Sequence, residues 1–364
     1  MKRRIRFQYH LLRGGAFFAY LRADRDSQEP QITMSDAGEI KTAFTGTFAT
    51  EAVDADGRRM EIDWLSDEIQ PVIIINGEKH PLGVFAVSTP RTVTKMKSTR
   101  VSVQAYDRCW LMKDTKVEGY FHIASGASYL NTVESLLTGA GLTTIIKDAS
   151  AATLANERED WSTGDAYLKI ANDLLSEINY DNLWFDADGA AMLQAKKTPT
   201  AANVQHVFTS RKTDPRIDKE AEIISIAPDM KRSMDIFSTP NVFIVVCSNP
   251  DKSVMTATAT NDNQESPLSV SRRGRRIVSV EKVDNIASQT ELQNYANFLR
   301  NQSMYTGEVI QITTRNLPGF GVGDISAIND DDAFGICVET AWQMQLEPGG
   351  TMTHTLERTV INLA

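Results

Sequence analysis

The sequence predicts a mainly β protein with an α+β insertion: two antiparallel β-barrel domains plus a small helix–hairpin domain. Three observations carry that prediction. Short apolar or alternating strands recur between Phe44 and Ala105 and again from Val242 onward, a rhythm of antiparallel barrels and sandwiches. Between them, Trp161 to Lys196 reads as one helix followed by one hairpin. Two regions about 250 residues apart also repeat a layout, as a duplicated barrel would. A turn at Asn76, a strand Gly83–Val87 and a strand from Val101 are echoed by a turn at 329–332, a strand Gly335–Glu339 and a strand from Met352.

Residues 1–43 carry mixed signals, with Phe17 to Leu21 a candidate strand and Ser27-Gln28-Glu29-Pro30 a turn. From Phe44 the β character is plain. Phe44 to Phe48 alternates, and Val72 to Ile75 is a buried strand closed by the turn Asn76-Gly77. Val84 to Val87 and Val101 to Ala105 follow, separated by polar residues around Thr94 to Thr99. These strands, with 200–236, make a first barrel over 1–112.

Near Lys113 the pattern changes. Tyr129, Leu130, Val133, Leu136 and Leu137 mark an amphipathic helix that stops at Gly139 and Gly141. A second helix over 163–178 carries Ala166, Ile170, Leu174 and Ile178 at four-residue spacing, widened by Tyr167, Ala171 and Leu175. Ser162 and Thr163 are its candidate caps and Asp165 its first-turn acid. Leu183-Trp184-Phe185, the turn Asp186-Ala187-Asp188-Gly189 and a return through Met192 and Leu193 form the hairpin. This makes 113–199 an insertion. Val204 to Thr209 and Ile223 to Ile226 are too small to stand alone and are expected to rejoin the first barrel.

The second barrel is read over 237–364. It opens with Val242 to Val246 and the alternating Val254 to Thr260. Ser288-Gln289-Thr290-Glu291 is a capping box for a helix over 288–303, striped by Leu292, Tyr295, Ala296 and Leu299. Val309 to Thr313 resumes the β pattern.

Composition narrows the function classes. With 364 residues, 41% hydrophobic and 23% charged, the chain is a globular protein of two or three domains. It has no apolar run of about 18 residues, so no membrane-spanning helix is expected. The basic start from Lys2 to Arg6 resembles a secretion signal, but Arg13 and Arg22 break the apolar part that follows. Cys109, Cys247 and Cys337 are odd in number and far apart, against a disulfide framework or a Cys-rich metal site. A net charge of −9 argues against specific nucleic-acid binding.

The chemistry-bearing motifs reduce to structure. Asp186-x-Asp188-Gly189 resembles the opening of a calcium loop, yet Lys197 stands where that loop needs its bidentate Glu. Gly319 to Asp324 is glycine-rich, but a strand over Ile325 to Ile328 follows where a phosphate loop needs a helix, so a bend is the reading. His10, His80, His122, His206 and His354 lack the spacing of a zinc hydrolase. No G-x-S-x-G elbow is present, and none of the 47 Asp and Glu stands out as half of a glycosidase pair. Arg272-Arg273-Gly274-Arg275-Arg276 and Asp330-Asp331-Asp332 read as solvated loops, the first with a possible phosphate contact. No catalytic, cofactor-binding or metal-binding residue, and no cofactor, is assigned. The protein is read as not an enzyme.

Several stretches in this order resemble the baseplate hub and tail-associated proteins of bacteriophages and related injection machines. Pro81 to Phe85 followed by Val103 to Arg108 is similar to the first barrel of such hubs, and Trp161 to Gln194 to their inserted α/β domain. Leu317-Pro318-Gly319 through Ile325, and Pro348 to Thr353, are similar to strands of their second barrel. The resemblance implies a non-enzymatic hub at the distal tip of a virion tail, assembled in the bacterial host cytoplasm. It implies a homotrimer that adapts a six-fold tail tube to a three-fold spike and lines the passage for DNA. Its implied partners are itself, a tail tube or distal tail protein and a spike or fibre, with the tape-measure protein a further candidate. Many such hubs are followed by a separate spike or lytic domain; with the sequence ending at Ala364 right after the second barrel, none is expected here. The competing reading is a stand-alone β-rich cell-wall hydrolase or carbohydrate-binding protein.

Overall fold

A computed structural model describes every residue except 1–2, 25–29, 96–97, 211–221, 235–238, 248–253, 265, 267, 284–288, 304, 331–332 and 362–364. The architecture is mainly β with few helices, as the sequence predicts. The chain divides into two compact units, Met1–Pro228 with Ile312–Thr355, and Asp229–Gln311 with Leu356–Ala364. No helix among the described residues is long and apolar enough to cross a membrane.

The first unit begins with a strand the sequence reading missed. Ile5–Arg13 ladders antiparallel onto both Ala16–Leu21 and Glu68–Ile75. Its basic residues obscure the pattern, but Arg4 and Arg6 face solvent while Tyr9 and Leu11 are buried. Alternation of that kind is what a half-buried strand requires. At the far end of Glu68–Ile75, Asn76 and Gly77 have φ of +54° and +102°, so both central residues of this hairpin turn are left-handed. Phe85–Lys95 and Ser98–Asp107 pair as one long antiparallel ladder up to Lys95↔Ser98, so both strands run into the polar stretch around Thr94 to Thr99. Threonine and valine suit exposed strands, so polarity alone did not mark a loop there. Tyr9, Leu11, Phe44, Phe48, Ile73 and Phe85 share one core with Trp342, Met344 and Met352 from the C-terminal strands. Gln31–Ser35, also unread in the sequence, joins the two sets by pairing with Thr42–Ala49 on one side and Phe334–Gln345 on the other.

A second core lies within 109–193. It gathers residues of helices α1 (Cys109–Asp114), α2 (Tyr129–Gly139) and α3 (Tyr167–Glu177). Ser128 caps α2 by accepting the Asn131 N–H, and Gly141 follows its end at φ +81°. In α3, Ile170, Ala171, Leu174 and Leu175 are fully buried, as the four-residue stripe predicts. Its start differs from the expectation. Ala166 is the N-cap, and Asp165 instead closes a preceding turn by accepting the Ser162 N–H at 2.8 Å. Gly164 at φ +94° cannot continue a helix back to Thr163. Asn179 ends the helix at φ +58°. The hairpin Trp184–Phe185/Ala191–Leu193 is extended by Ile145–Lys147, parallel to the return strand.

The return strands lie in the same compact unit as 1–112. His206–Thr209 pairs in parallel with Glu222–Ser225 and with Ile325–Asn329, and among the described residues with no strand of 1–112. All four of its residues are buried, so it needs neighbours on both sides. A fully buried tetrapeptide says that a strand is central without saying which strands flank it.

In the second unit, Val242–Cys247 lies between antiparallel Met255–Thr260 and parallel Val278–Val283. Helix α5 (Gln289–Ser303) covers one face, packing Leu292 and Ala296 on Val245, Cys247, Ala257 and Ala259. Ser288 and the Glu291 side chain, the expected capping box, lie outside the described residues. The arginine run is not simply a loop. Arg272 and Arg273 close the short helix α4 (Val270–Arg273), which Ser269 caps and Gly274 ends at φ +63°. Of the aspartate run, Asp330 forms a turn by donating its N–H to the Ala333 carbonyl, and the other two lie outside the described residues.

Candidate functional site

Within the first unit, three segments converge: the hairpin tip at 186–189, the segment 81–85, and the glycine-rich bend 317–324. The hairpin tip is held by its own chemistry. Asp186 Oδ1 accepts the N–H groups of Asp188 and Ala190 at 3.0 and 2.8 Å, the reading of a turn rather than a calcium loop. Gly83 then donates its N–H to the Ala187 carbonyl at 3.0 Å. Arg108, at the junction of a strand and α1, grips both sides. Its Nε and Nη2 reach the two Glu68 oxygens at 2.8 and 2.6 Å while Nη1 reaches the Gly189 carbonyl at 2.8 Å. Gly189 sits at φ +80°, and a Cβ there would come within 2.8 Å of Val84 Cγ2, so only glycine fits this approach. Asp107, fully buried beside Arg108, accepts the N–H groups of Thr42 and Cys109 at 2.6 and 2.9 Å. Burial outweighs those donors and pushes its carboxyl up to about 6.

Next to this clamp is a cavity of about 300 Å³ walled by Leu82, Phe85, Trp184, Phe320, Trp342 and Met352. The bend that closes it is formed as the sequence predicts, between strands. Asp324 accepts the Gly321 N–H at 2.6 Å, and a Cβ on Gly321 would stand 3.1 Å from the Trp184 ring. The indole N–H groups of Trp184 and Trp342 are buried without an acceptor.

Behind the bend the fold assembles a polar series that no local motif announced. Phe320 packs against His206 and His354, with ring centroids 4.4 and 4.7 Å away. His354 Nε2 is 2.8 Å from Thr314 Oγ1, and its Nδ1 is 2.5 Å from Glu339 Oε1. Thr314 Oγ1 donates to the Arg315 carbonyl at 2.9 Å. Its lone pair is then left for an Nε2–H, and Nδ1 becomes an acceptor facing a protonated Glu339. Both environments favour that neutral pair. Burial and the nearby Asp324 carboxylate hold Glu339 well above the usual carboxylate range, against the pull of His206. Burial first, and His206 second, push His354 down to about 3. Glu339 Oε2 and His206 Nδ1 are buried without partners, and His206 Nε2 stands 3.7 Å from Asp324.

A hydroxyl, an imidazole and a carboxylate in series form the arrangement by which hydrolases activate a nucleophile. Here Glu339 and His354 are 0% exposed and Thr314 4%, so the series is closed to a substrate and its hydroxyl proton is already donated to a carbonyl. The remaining histidines stay apart. His10 packs on Phe17 and Tyr20, His80 stands 3.9 Å from Glu78, and His122 stacks on Tyr120. Cys109, Cys247 and Cys337 are all buried. Among the described residues no cluster of His, Cys, Asp and Glu has the geometry to hold a metal ion.

No family model matches this sequence, and no curated protein matches it. Solved structures do. The tail protein from Neisseria meningitidis MC58 matches with a TM-score of 0.64 at 11% identity, covering 97% of each chain. The 43 kDa tail protein of prophage MuSo2 from Shewanella oneidensis matches with a TM-score of 0.62 at 11% identity, covering 96% of this chain and 98% of that one. Prophage tail protein gp18 from Listeria monocytogenes EGD-e matches with a TM-score of 0.52 at 11% identity, over 96% and 94%. The chain has the fold of phage tail proteins, the group its sequence pattern resembles.

Proposed function

We propose that this chain is a structural hub protein at the distal tip of a phage tail or phage-tail-like particle. It works as a homotrimer that joins a six-fold tail tube to a three-fold spike or fibre and lines the passage between them. The chain holds two compact units, so three chains about an axis present six. The observation that carries the reading is a likeness of fold that runs through 97% of both this chain and a tail protein. The clamp of Arg108, Glu68 and Gly189 suits a part that must transmit load without shearing its inserted lobe. On this reading the chain is assembled in the bacterial cytoplasm and remains in the virion tail, with the tube, the spike and the tape-measure protein as partners. The hydrolase alternative would need the Thr314–His354–Glu339 series to open, and all three side chains are buried.

Immunogold labelling of particles from the producing strain tests the placement. Label should sit at the distal end of the tail, and deletion of the gene should leave tubes without a tip or no assembled tails. Label along the tube, on the head or on free protein alone would refute it.

A further inference from the structure

Among the described residues, two of the open strand edges expose branched apolar side chains in different settings. In the second unit, Val278–Val283 is an edge strand, paired among the described residues only with Val242–Cys247. The opposite edge of the same sheet is closed: Gln289 and Gln293 of α5 donate to the Thr256 and Thr258 carbonyls at 2.8 and 3.0 Å. The register Val242↔Val278 and Ile244↔Val280 puts Ile244, Val246, Val278 and Val280 on the face away from α5. Val278 and Val280 are 48% and 58% exposed there. Just ahead of them, Arg272, Arg275 and Arg276 are exposed, so this edge has a basic end. The edge is apolar at Val278 and Val280 and charged at Glu281 and Lys282, and among the described residues no element covers it; an open edge is a template for another strand.

The first unit holds a counterpart. Glu222–Ser225 ladders on His206–Thr209 and on no other strand among the described residues. Ile224 is buried, whereas Ile223 on its other face is 58% exposed. Charge separates the units as well. The second unit has ten Lys and Arg against ten Asp and Glu, so the net charge of −9 lies wholly on the first.

Resting on the trimer reading above, we propose that the Glu222–Ser225 edge of one copy adds to the Val278–Val283 edge of a second copy. Main-chain hydrogen bonds complete both ladders, Ile223 covers the exposed valines, and the arginine turn meets the acidic unit of its neighbour. Because the two edges are different surfaces, the contact is head-to-tail. Such contacts either close into a ring or grow into a filament, and closure at three gives the hub. The occupant of each of these two edges is therefore another copy of this chain, and a closed ring leaves neither of them open.

Cysteine cross-linking of the full-length protein, alone and with the tail proteins encoded beside it, tests the contact. The three native cysteines are buried, so introduced thiols report alone. Oxidation by copper phenanthroline of Ile223→Cys/Val278→Cys or Ile223→Cys/Val280→Cys should give reducible trimers, and the single variants should not. Val280→Lys should weaken assembly by at least about tenfold in sedimentation, as loss of a central apolar contact does. Its melting should be unchanged, since the site is exposed. A wild-type trimer that neither cross-links between copies nor responds to Val280→Lys overturns this contact and leaves the trimer standing. Cross-links confined to one chain also overturn it. A wild-type chain that stays single in every mixture overturns both.

Discussion

At the residue scale, the fold is most informative where it places ionisable groups out of water. Glu339 and His354 share one proton as a neutral pair, with Glu339 raised and His354 lowered to about 3. Their unfolded values are 4.5 and 6.5. Above pH 6.5 the folded pair keeps a proton that the unfolded chain has released, so stability falls as pH rises until Glu339 ionises. Between 4.5 and 6.5 both states hold one proton and the pair contributes no slope. Between 4.5 and about 3 the unfolded chain takes up a second proton that the folded pair refuses, so stability falls again as pH drops. Each uncompensated proton is worth about 1.4 kcal/mol per pH unit. Glu339→Gln keeps a donor for Nδ1 and removes the titration, so its melting temperature should decline less between pH 6.5 and 8.5 than that of the wild type. Equal slopes would mean that Glu339 is ionised in the folded state. None of this was legible in the sequence. His206, Thr314, Glu339 and His354 come from different strands, and only the ladders bring them to Phe320. The one local signal was the bend at Gly319 to Asp324, read correctly as a bend but not as the wall of a site.

At the element scale, the sequence spoke clearly wherever a pattern is local. The apolar stripe of α3 repeats with the helix period, and its register is correct because packing against α1 and α2 fixes it. Leu174 is fully buried on that stripe. Leu174→Asp places an unpaired carboxylate there and should cost more than the ~2–5 kcal/mol of a large-to-small core change. Thermal unfolding should show the 109–193 lobe melting early or not folding, and an unaltered transition would mean that the stripe faces solvent. The strands were legible in the same proportion. Phe44 to Phe48 and Val242 to Val246 announce themselves by composition, whereas Ile5–Arg13 hides its alternation behind arginines. Strand partners are a different matter. His206–Thr209 was placed with the N-terminal strands and lies beside Ile325–Asn329, because pairing is set by the whole core and not by four residues.

At the scale of the whole molecule, the order of weak motifs carried more than any one of them. Pro81 to Phe85, Trp161 to Gln194 and Leu317 to Ile325 are each common, yet in the structure the three meet around one clamp and one cavity. That convergence explains why their order was informative: each must be present for the others to pack. On the proposed hub reading, the net charge of −9 would limit adhesion of DNA passing through the ring. The central claim is that three copies of this chain form the working unit. Light scattering on the full-length protein, alone and mixed with the tube and spike proteins encoded beside it, measures this directly. The account predicts a mass of three chains, in isolation or on the partner; a stable dimer, or a single chain in every mixture, would contradict it.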